Sequence, residues 1–360
     1  MKTAIVDNTD QPAHQLPHHR TETPHGSLSL RRVWPVPEEP DAERTLAVEF
    51  ADEHDIRAGW WRAGALELLA PGADPKLRAM PALLRRDGEG PPAKVVSHRP
   101  GKRAVVRTEA DGRSVFVKVV RRRRAPGILD GVQRAQSFNG PFRLPRLRDH
   151  TDSTVTFDAL SGVSLHSPSP LSTAEWGQAW TEVCHAWAES VRNPRRSATP
   201  ALVHRAESEV GVLRHWFHLT APYLEDRDRT ARKLETISAK LLGLAEDRLV
   251  PAHRDLHDKQ LLWSAQQGPG LLDVDTACLA DPALDLGNLR AHALLRQLQG
   301  VWSAGHSETV RFCVDDTAES ASVPRHALAL YEQAAQLRLG LVYAVRPQYT
   351  DVAAELRENC

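Results

Sequence analysis

The feature that most constrains the fold of this chain is a change of hydrophobic period partway along it. Between Lys94 and Val120 lie three short apolar runs: Lys94-Val95-Val96-Ser97, Ala104-Val105-Val106-Arg107 and Val115-Phe116-Val117-Lys118-Val119-Val120. They are strand-length and rich in the β-branched residues that suit a pleated surface. His98 to Arg103 reads as the first turn between them, and Asp111-Gly112 as a tight hairpin turn, since Gly tolerates the positive φ that such a turn needs. A short helix from about Ile128 to Phe138 and a further strand, Thr154 to Phe157, are expected next. From about residue 172 the period becomes helical. Trp176, Trp180, Val183 and Trp187 recur at spacings of three and four, and further helical stretches lie near 203–219 and 226–246. Beyond a loop region at 251–288, Leu330, Ala334, Leu337 and Leu341 mark another buried stripe. A small β-rich part before a larger helical one, within 360 residues, predicts two lobes around a cleft.

Residues 1–30, polar and dotted with His14, His18, His19 and His25, read as a disordered tail. Residues 31–90 carry Trp34, Trp60, Trp61 and short apolar groups broken by Pro71, Pro75 and Pro81, and read as an ordered extension to which the sequence assigns no chemistry. A first lobe then spans 91–160 and a helical lobe 161–360. Lys plus Arg and Asp plus Glu are each 46, so the basic excess of a general nucleic-acid binder is missing. No apolar run is long enough to span a bilayer and no secretory signal is visible, so neither a membrane nor a nucleic acid is an expected partner. Cys184, Cys278, Cys313 and Cys360 are far apart, without C-x-x-C spacing, and read as reduced thiols of a cytoplasmic protein.

The chemistry is concentrated in Val250-Pro251-Ala252-His253-Arg254-Asp255-Leu256-His257-Asp258-Lys259-Gln260, with Asp273 thirteen residues further on in Leu271-Leu272-Asp273-Val274-Asp275. Phosphoryl transfer to a hydroxyl needs a carboxylate to orient the attacking group and take its proton. It also needs an oxygen ligand for a divalent metal and a second carboxylate to hold the metal against the phosphates. A loop Asp, an amide five positions later and an acidic residue after an apolar pair meet that requirement. Asp275 reads either as a second metal ligand or as a solvent-facing neighbour.

The loop resembles the protein-kinase catalytic loop H-R-D-x-x-x-x-N. It resembles more closely the H-x-D-x-H-x-x-N loop of the aminoglycoside phosphotransferase and choline kinase group, with His257 as the second His. The run from Asp273 to Ala277, followed by Asp281-Pro282-Ala283-Leu284-Asp285-Leu286-Gly287, resembles that group's metal-binding strand and the helix start beyond it. The resemblance covers about residues 94 to 345. It implies an α/β, protein-kinase-like two-lobed fold and an ATP- and Mg²⁺-dependent transferase acting on a small-molecule hydroxyl. Asp255 matches the catalytic base, Gln260 and Asp273 the metal ligands, and Lys118 the lysine on the phosphates. Asp158 to Leu160 match the hinge that binds adenine through backbone groups, and Asp285 matches a brace for the catalytic loop.

The sequence departs from the group at three places. Gln260 stands where the group has Asn. The Gly-rich phosphate loop is reduced to Gly101 among Arg99, Lys102 and Arg103, basic side chains that can contact phosphate directly. No Glu occurs between 125 and 150 to partner Lys118, so Asp130 or Gln133 would have to serve. Two rival functions share the motifs: a peptide or protein Ser/Thr kinase, and a nucleotide-binding module that no longer catalyses. Against the first stands the short path from Asp273 to Asp285, which has no activation segment ending in Ala-Pro-Glu. Oligomeric state and the identity of the acceptor are not written in these motifs.

Overall fold

The computed structural model describes residues 15–23, 26–37, 44–52, 55–84, 93–195, 197, 199–245 and 248–360. In chain order the first elements are β1 (Arg20–Thr23), β2 (Gly26–Pro35), β3 (Thr45–Ala51), β4 (Ile56–Arg62), β5 (Ala65–Leu68) and the short α1 (Met80–Leu84). The five strands form one antiparallel sheet in sequential order. Its apolar face brings together Leu28, Leu30, Val33, Leu46, Val48, Phe50, Trp61 and Leu66. The expected disordered tail is therefore too long. Residues 20–23 form β1 and residues 26–30 the first half of β2, because Leu28 and Leu30 bury themselves against this face. Residues 1–14 lie outside the described residues.

The second sheet has the order β6-β7-β8-β10-β9, with β6 (Lys94–Arg99), β7 (Arg103–Ala110), β8 (Arg113–Val120), β9 (Leu147–His150) and β10 (Thr154–Asp158). Asp111 and Gly112 both adopt positive φ in the tight turn between β7 and β8. On β8, Val117 and Val119 join Leu77, Met80, Val95 and Val106 in a core on one face. Lys118 alternates with them and stands on the opposite face. Helix α2 (Ala125–Arg134) follows, and its Ile128 packs with Val120, Val155 and Phe157.

The helical lobe contains β11 (Val163–Ser164), α3 (Thr173–Arg192), β12 (Val203–His204), α4 (Ala206–Thr220), α5 (Arg227–Leu242), β13 (Val250–Ala252), β14 (Leu261–Ser264), β15 (Gly268–Leu271), β16 (Cys278–Ala280), α6 (Ala283–Leu298), α7 (Ala304–Ser320), α8 (Arg325–Tyr343) and α9 (Thr350–Asn359). Ser172 and Glu175 close the start of α3 with a reciprocal capping box. Trp176, Trp180 and Trp187 are fully buried, and Trp302 meets the first two edge to face at 5.1 and 5.8 Å. Each indole buries on the order of 200 Å², worth roughly 5 kcal/mol at 25 cal/mol per Å². This aromatic stack fixes α3 against the connection between α6 and α7, where Trp302 sits. Among the described residues, no helix is long and apolar enough to cross a membrane.

Candidate active site

The loop after β13 is fastened at its backbone. Asp285, in the first turn of α6 and buried, accepts the His253 N–H on Oδ2 and the Arg254 N–H on Oδ1, each at 2.8 Å. Trp187 Nε1 reaches the same carboxylate at 3.4 Å. Burial pushes the Asp285 carboxyl up, against the stabilising pull of His253 and of these amides. Thr276 donates to the His253 carbonyl at 2.9 Å and Asn288 to the Leu256 carbonyl at 2.7 Å. His253 is itself buried and bonds the Leu272 carbonyl through Nε2 at 2.8 Å, which ties the loop to the chain just before Asp273. Arg254 is held at φ 73°, a left-handed conformation that a non-Gly residue keeps only when its surroundings enforce it.

With its neighbours pinned, Asp255 turns a half-exposed carboxylate outward. The nearest basic side chains are Arg338 at 3.9 Å and His257 Nε2 at 3.8 Å. The hydrogen bonds of His257 fix its tautomer. Its Nδ1 accepts the Lys259 N–H at 3.1 Å, so in the neutral ring the proton sits on Nε2. Nε2 faces the Gln260 side-chain amide at 3.4 Å, and an N–H there calls for the amide oxygen as partner. His257 thus lies between the Asp255 carboxylate and the Gln260 amide. Gln260 is also tied to the segment that leads into Asp273, because its carbonyl accepts the Leu272 N–H at 2.8 Å.

Asp273, two residues past the end of β15, lies at φ 55°, again in the left-handed region. This turn brings it to Lys118, whose Nζ donates to Asp273 Oδ1 at 2.5 Å and to Asp275 Oδ1 at 2.7 Å. Burial pushes Asp273 up, but Lys118, with Arg103 behind it, outweighs burial and holds the carboxyl well below the usual range. Burial acts on Lys118 in the opposite sense, and the two carboxylates more than offset it, so the ammonium is held more firmly than in water. Asp275 moves up, through burial and the proximity of Asp273.

The partner of Lys118 is therefore not the one expected from α2. Asp130 and Gln133 are exposed, and the carboxylate comes from Asp275. The packing explains why. A Cβ at Gly131 would lie 2.4 Å from the Asp275 carbonyl oxygen, so α2 rests its backbone on the Asp275 segment. Sequence reasoning had Asp275 in view but not this pairing.

Arg103 starts β7 beside the turn at Gly101, which has φ 64°. Burial and the charge of Arg103 push Arg99 down to about 10. Lys102 is lowered by burial and by Arg121, Arg99, Arg124 and Lys76 around it. At the other end of β10, Asp158, Ala159 and Leu160 line an open cavity of about 520 Å³ together with Arg113, Ser114 and Ser161. The Asp158 and Ala159 amides are spent on the carbonyls of Arg146 and Ser114 at 3.0 Å, and the Asp158 carboxylate pairs with Arg148 at 3.1 Å. Among the described residues, the Leu160 amide has no backbone partner.

Two further clusters are structural in their bonding. Asp258, His257 and His292 bring ligand-type atoms close together, but Arg296 Nε already bonds both Asp258 oxygens at 3.0 and 2.9 Å and His166 adds a contact at 2.6 Å. Asp315 is paired with Arg290, which also bonds Glu332 at 2.6 Å.

A strand lysine locked to a carboxylate after a β-hairpin, opposite a braced Asp-bearing loop and beneath a five-stranded sheet, defines a two-lobed, kinase-like phosphotransferase. The chain belongs to the phosphotransferase enzyme family, whose sequence profile matches residues 94–313; its class of reaction is phosphoryl transfer to a hydroxyl acceptor. No curated protein matches it in sequence. Among solved structures, an amicoumacin kinase is similar at 12% identity, covering 80% of this chain and 93% of its own, with a TM-score of 0.57. A choline kinase from Cryptosporidium parvum is similar at 13% identity, covering 74% and 87%, with a TM-score of 0.55. An aminoglycoside phosphotransferase from Streptomyces rimosus is similar at 18% identity, covering 74% and 98%, with a TM-score of 0.54. At these identities the likeness is one of fold.

Proposed function

We propose that the chain moves the γ-phosphoryl group of ATP to a hydroxyl of a small molecule in the cytoplasm. The acceptor is an aminoglycoside or other antibiotic, a sugar or an amino alcohol. The observation that carries this reading is the Lys118–Asp273 pair at 2.5 Å, formed between the two lobes next to the loop that presents Asp255. In the acceptor step Asp255 orients the attacking hydroxyl and accepts its proton. Lys118 and Arg103 bind the phosphates, and Leu160, with Asp158 beside it, receives the adenine at the hinge. Asp273 and the Gln260 amide are the ligands for Mg²⁺. They fit a hard cation in being oxygen donors, and Asp273 and Asp275 share a single ammonium, which leaves negative charge to be balanced. Mg²⁺ held there supplies neutralisation of the phosphate charge. Nucleotide and divalent-ion use is supported by the amicoumacin kinase structure with AMP-PNP and Ca²⁺, and by the Streptomyces rimosus phosphotransferase structure with ADP and streptomycin.

The test is Asp255→Asn assayed with ATP, Mg²⁺ and a panel of hydroxyl acceptors. Transfer should fall by about 10²-fold or more, because the amide cannot take the proton. Nucleotide affinity, followed by thermal shift, should stay near wild type. A variant that turns over like the wild type on its true acceptor overturns the assignment.

A further inference from the structure

The family match begins at residue 94, so the N-terminal sheet β1–β5 lies outside it. That sheet is nevertheless fastened to the turn that would cover the phosphates. Asp74, between β5 and α1 and only 5% exposed, accepts the Gly101 N–H at 2.6 Å on Oδ2 and faces His98 Nε2 with the same oxygen at 3.0 Å. Its Oδ1 accepts the Lys76 N–H at 2.9 Å. Glu49, on β3 with no exposed surface, accepts the His98 N–H at 2.6 Å and the Ser97 hydroxyl at 3.1 Å. Arg32 of β2 donates to Ser97 at 2.7 Å. The Arg99 guanidinium lies 5.4 Å over the Trp34 ring, and a Cβ at Gly101 would meet Lys76 and Trp60 at 3.4 and 3.5 Å. From the other side Arg121 donates to the Gly101 carbonyl at 2.5 Å. The sheet also reaches the helical lobe. Val345 sits in its core with Tyr223 packed alongside, and Gln348 donates to the Leu30 carbonyl at 3.1 Å.

Buried carboxylates are costly unless their charge is satisfied. Here two of them, from different parts of the extension, each accept a backbone N–H of one hairpin, Glu49 from His98 near the end of β6 and Asp74 from Gly101 in the turn, and Glu49 also faces the Arg32 guanidinium at 3.6 Å. A loop rich in glycine closes over phosphates by flexibility. This turn has one glycine and basic flanks, and it is held by outside partners instead. We propose that the N-terminal sheet is a fixed part of the nucleotide site. Asp74 and Glu49 are positioning residues that preset the 98–103 turn so that Arg103 faces the phosphates, and the attachment at Val345 and Gln348 sets that turn relative to the helical lobe. The proposal rests on the phosphotransferase reading and extends it to residues outside the family match.

The experiment measures AMP-PNP–Mg²⁺ binding by calorimetry, steady-state kinetics, and amide exchange at Gly101 in the full-length protein. Asp74→Ala should weaken nucleotide binding and raise the KM for ATP by about ten-fold, the scale of one hydrogen bond to a charged group. The KM for the acceptor should not change, and the Gly101 amide should exchange faster. Leu66→Ala is the control, since it removes a core side chain of the same sheet without touching the turn. It should lower the Tm and leave nucleotide affinity alone. Glu49→Gln keeps an acceptor oxygen and should fall between Asp74→Ala and wild type; it also carries the test if Asp74→Ala does not fold. Equal nucleotide binding by wild type and both carboxylate variants overturns this proposal alone, as does an equal loss in Leu66→Ala. A wild type that binds no nucleotide overturns the phosphotransferase reading and this proposal with it.

Discussion

Lys118 is held at 2.7 Å by Asp275, two residues beyond the Asp273 carboxylate that it also binds, and not by a carboxylate of the helix that follows its own strand. The lysine and both its anions are then bonded together at the turn after β15, and α2 needs only to support that turn. Asp275→Asn should therefore loosen Lys118. The KM for ATP should rise by about ten-fold, the cost of one hydrogen bond to a charged group, with little change in the Mg²⁺ concentration at half-activity. Asp130→Asn and Gln133→Ala, on exposed α2 positions, should leave both quantities at wild type. A raised Mg²⁺ requirement in Asp275→Asn would make that residue a metal ligand instead.

The contact between α2 and this turn separates two glycines of one helix. At Gly131 a methyl group would fall 2.4 Å from the Asp275 carbonyl oxygen, while at Gly127 it would meet nothing within 4 Å. Gly131→Ala should lower stability by roughly 1–3 kcal/mol, the usual cost of forcing extra volume into a packed contact, and should weaken nucleotide binding by displacing Asp275. Gly127→Ala should be neutral or stabilising by up to about 1 kcal/mol, since it only restores helix propensity. Urea unfolding of the two variants decides it; equal midpoints would mean that the helix slides freely over the turn.

The parts of the site that were legible in the sequence are those whose residues are close along the chain. His253 to Gln260, Asp273 and Asp285 fall within one stretch, where the resemblance to the phosphotransferase and choline kinase group implies a loop, a strand and a helix start. The Lys118–Asp275 bond spans 157 positions, and nothing in either neighbourhood announces it. The grip of Asp74 and Glu49 on the 98–103 turn was hidden in the same way, because a buried carboxylate on a backbone amide has no sequence signature. The misplaced tail boundary has a local cause. Leu28 and Leu30 alternate as a strand should, but a register shift between Leu30 and Arg32 breaks the period before Val33. A bulge of this kind hides a strand from a period-two reading.

Gln260 tests whether the departure from Asn matters. Its backbone is tied to Leu272 at 2.8 Å and its amide faces His257, so the side chain is placed on both sides. Gln260→Asn should keep substantial phosphotransfer, with the amide oxygen retained on a shorter reach. Gln260→Leu keeps the approximate volume and removes the oxygen, and should need more Mg²⁺, because octahedral oxygen coordination is not readily completed by a distant group. A Mg²⁺ titration of the three proteins gives the answer; superimposable curves for wild type and the Leu variant would take Gln260 out of the metal site.

His292 sets the acid limit of the catalytic lobe. It is buried on α6 and stacked on His257 at a centroid distance of 4.5 Å. Burial, then the positive side of His257, Arg296 and Arg338, pushes it well below the usual imidazole range. Asp258, at 3.7 Å, pulls the other way and does not prevail. The folded protein thus carries His292 neutral, while the unfolded chain takes up a proton below about pH 6.5. The unfolded state binds more protons there, so stability falls as pH falls, by about 2 kcal/mol from this group at pH 5. Asp258 is pushed up by burial but held well below the carboxylate range by Arg296 and the histidines. It adds a loss of the same sign only below about pH 4, where its unfolded form protonates, so the series above pH 5 reads His292. His292→Phe keeps a stacking ring and removes the titration. Urea unfolding at pH 7.5, 6.5, 5.5 and 5.0 should show the wild type losing stability across the series and the Phe variant losing about 2 kcal/mol less. Parallel pH profiles for the two proteins would mean that His292 accepts its proton inside the fold.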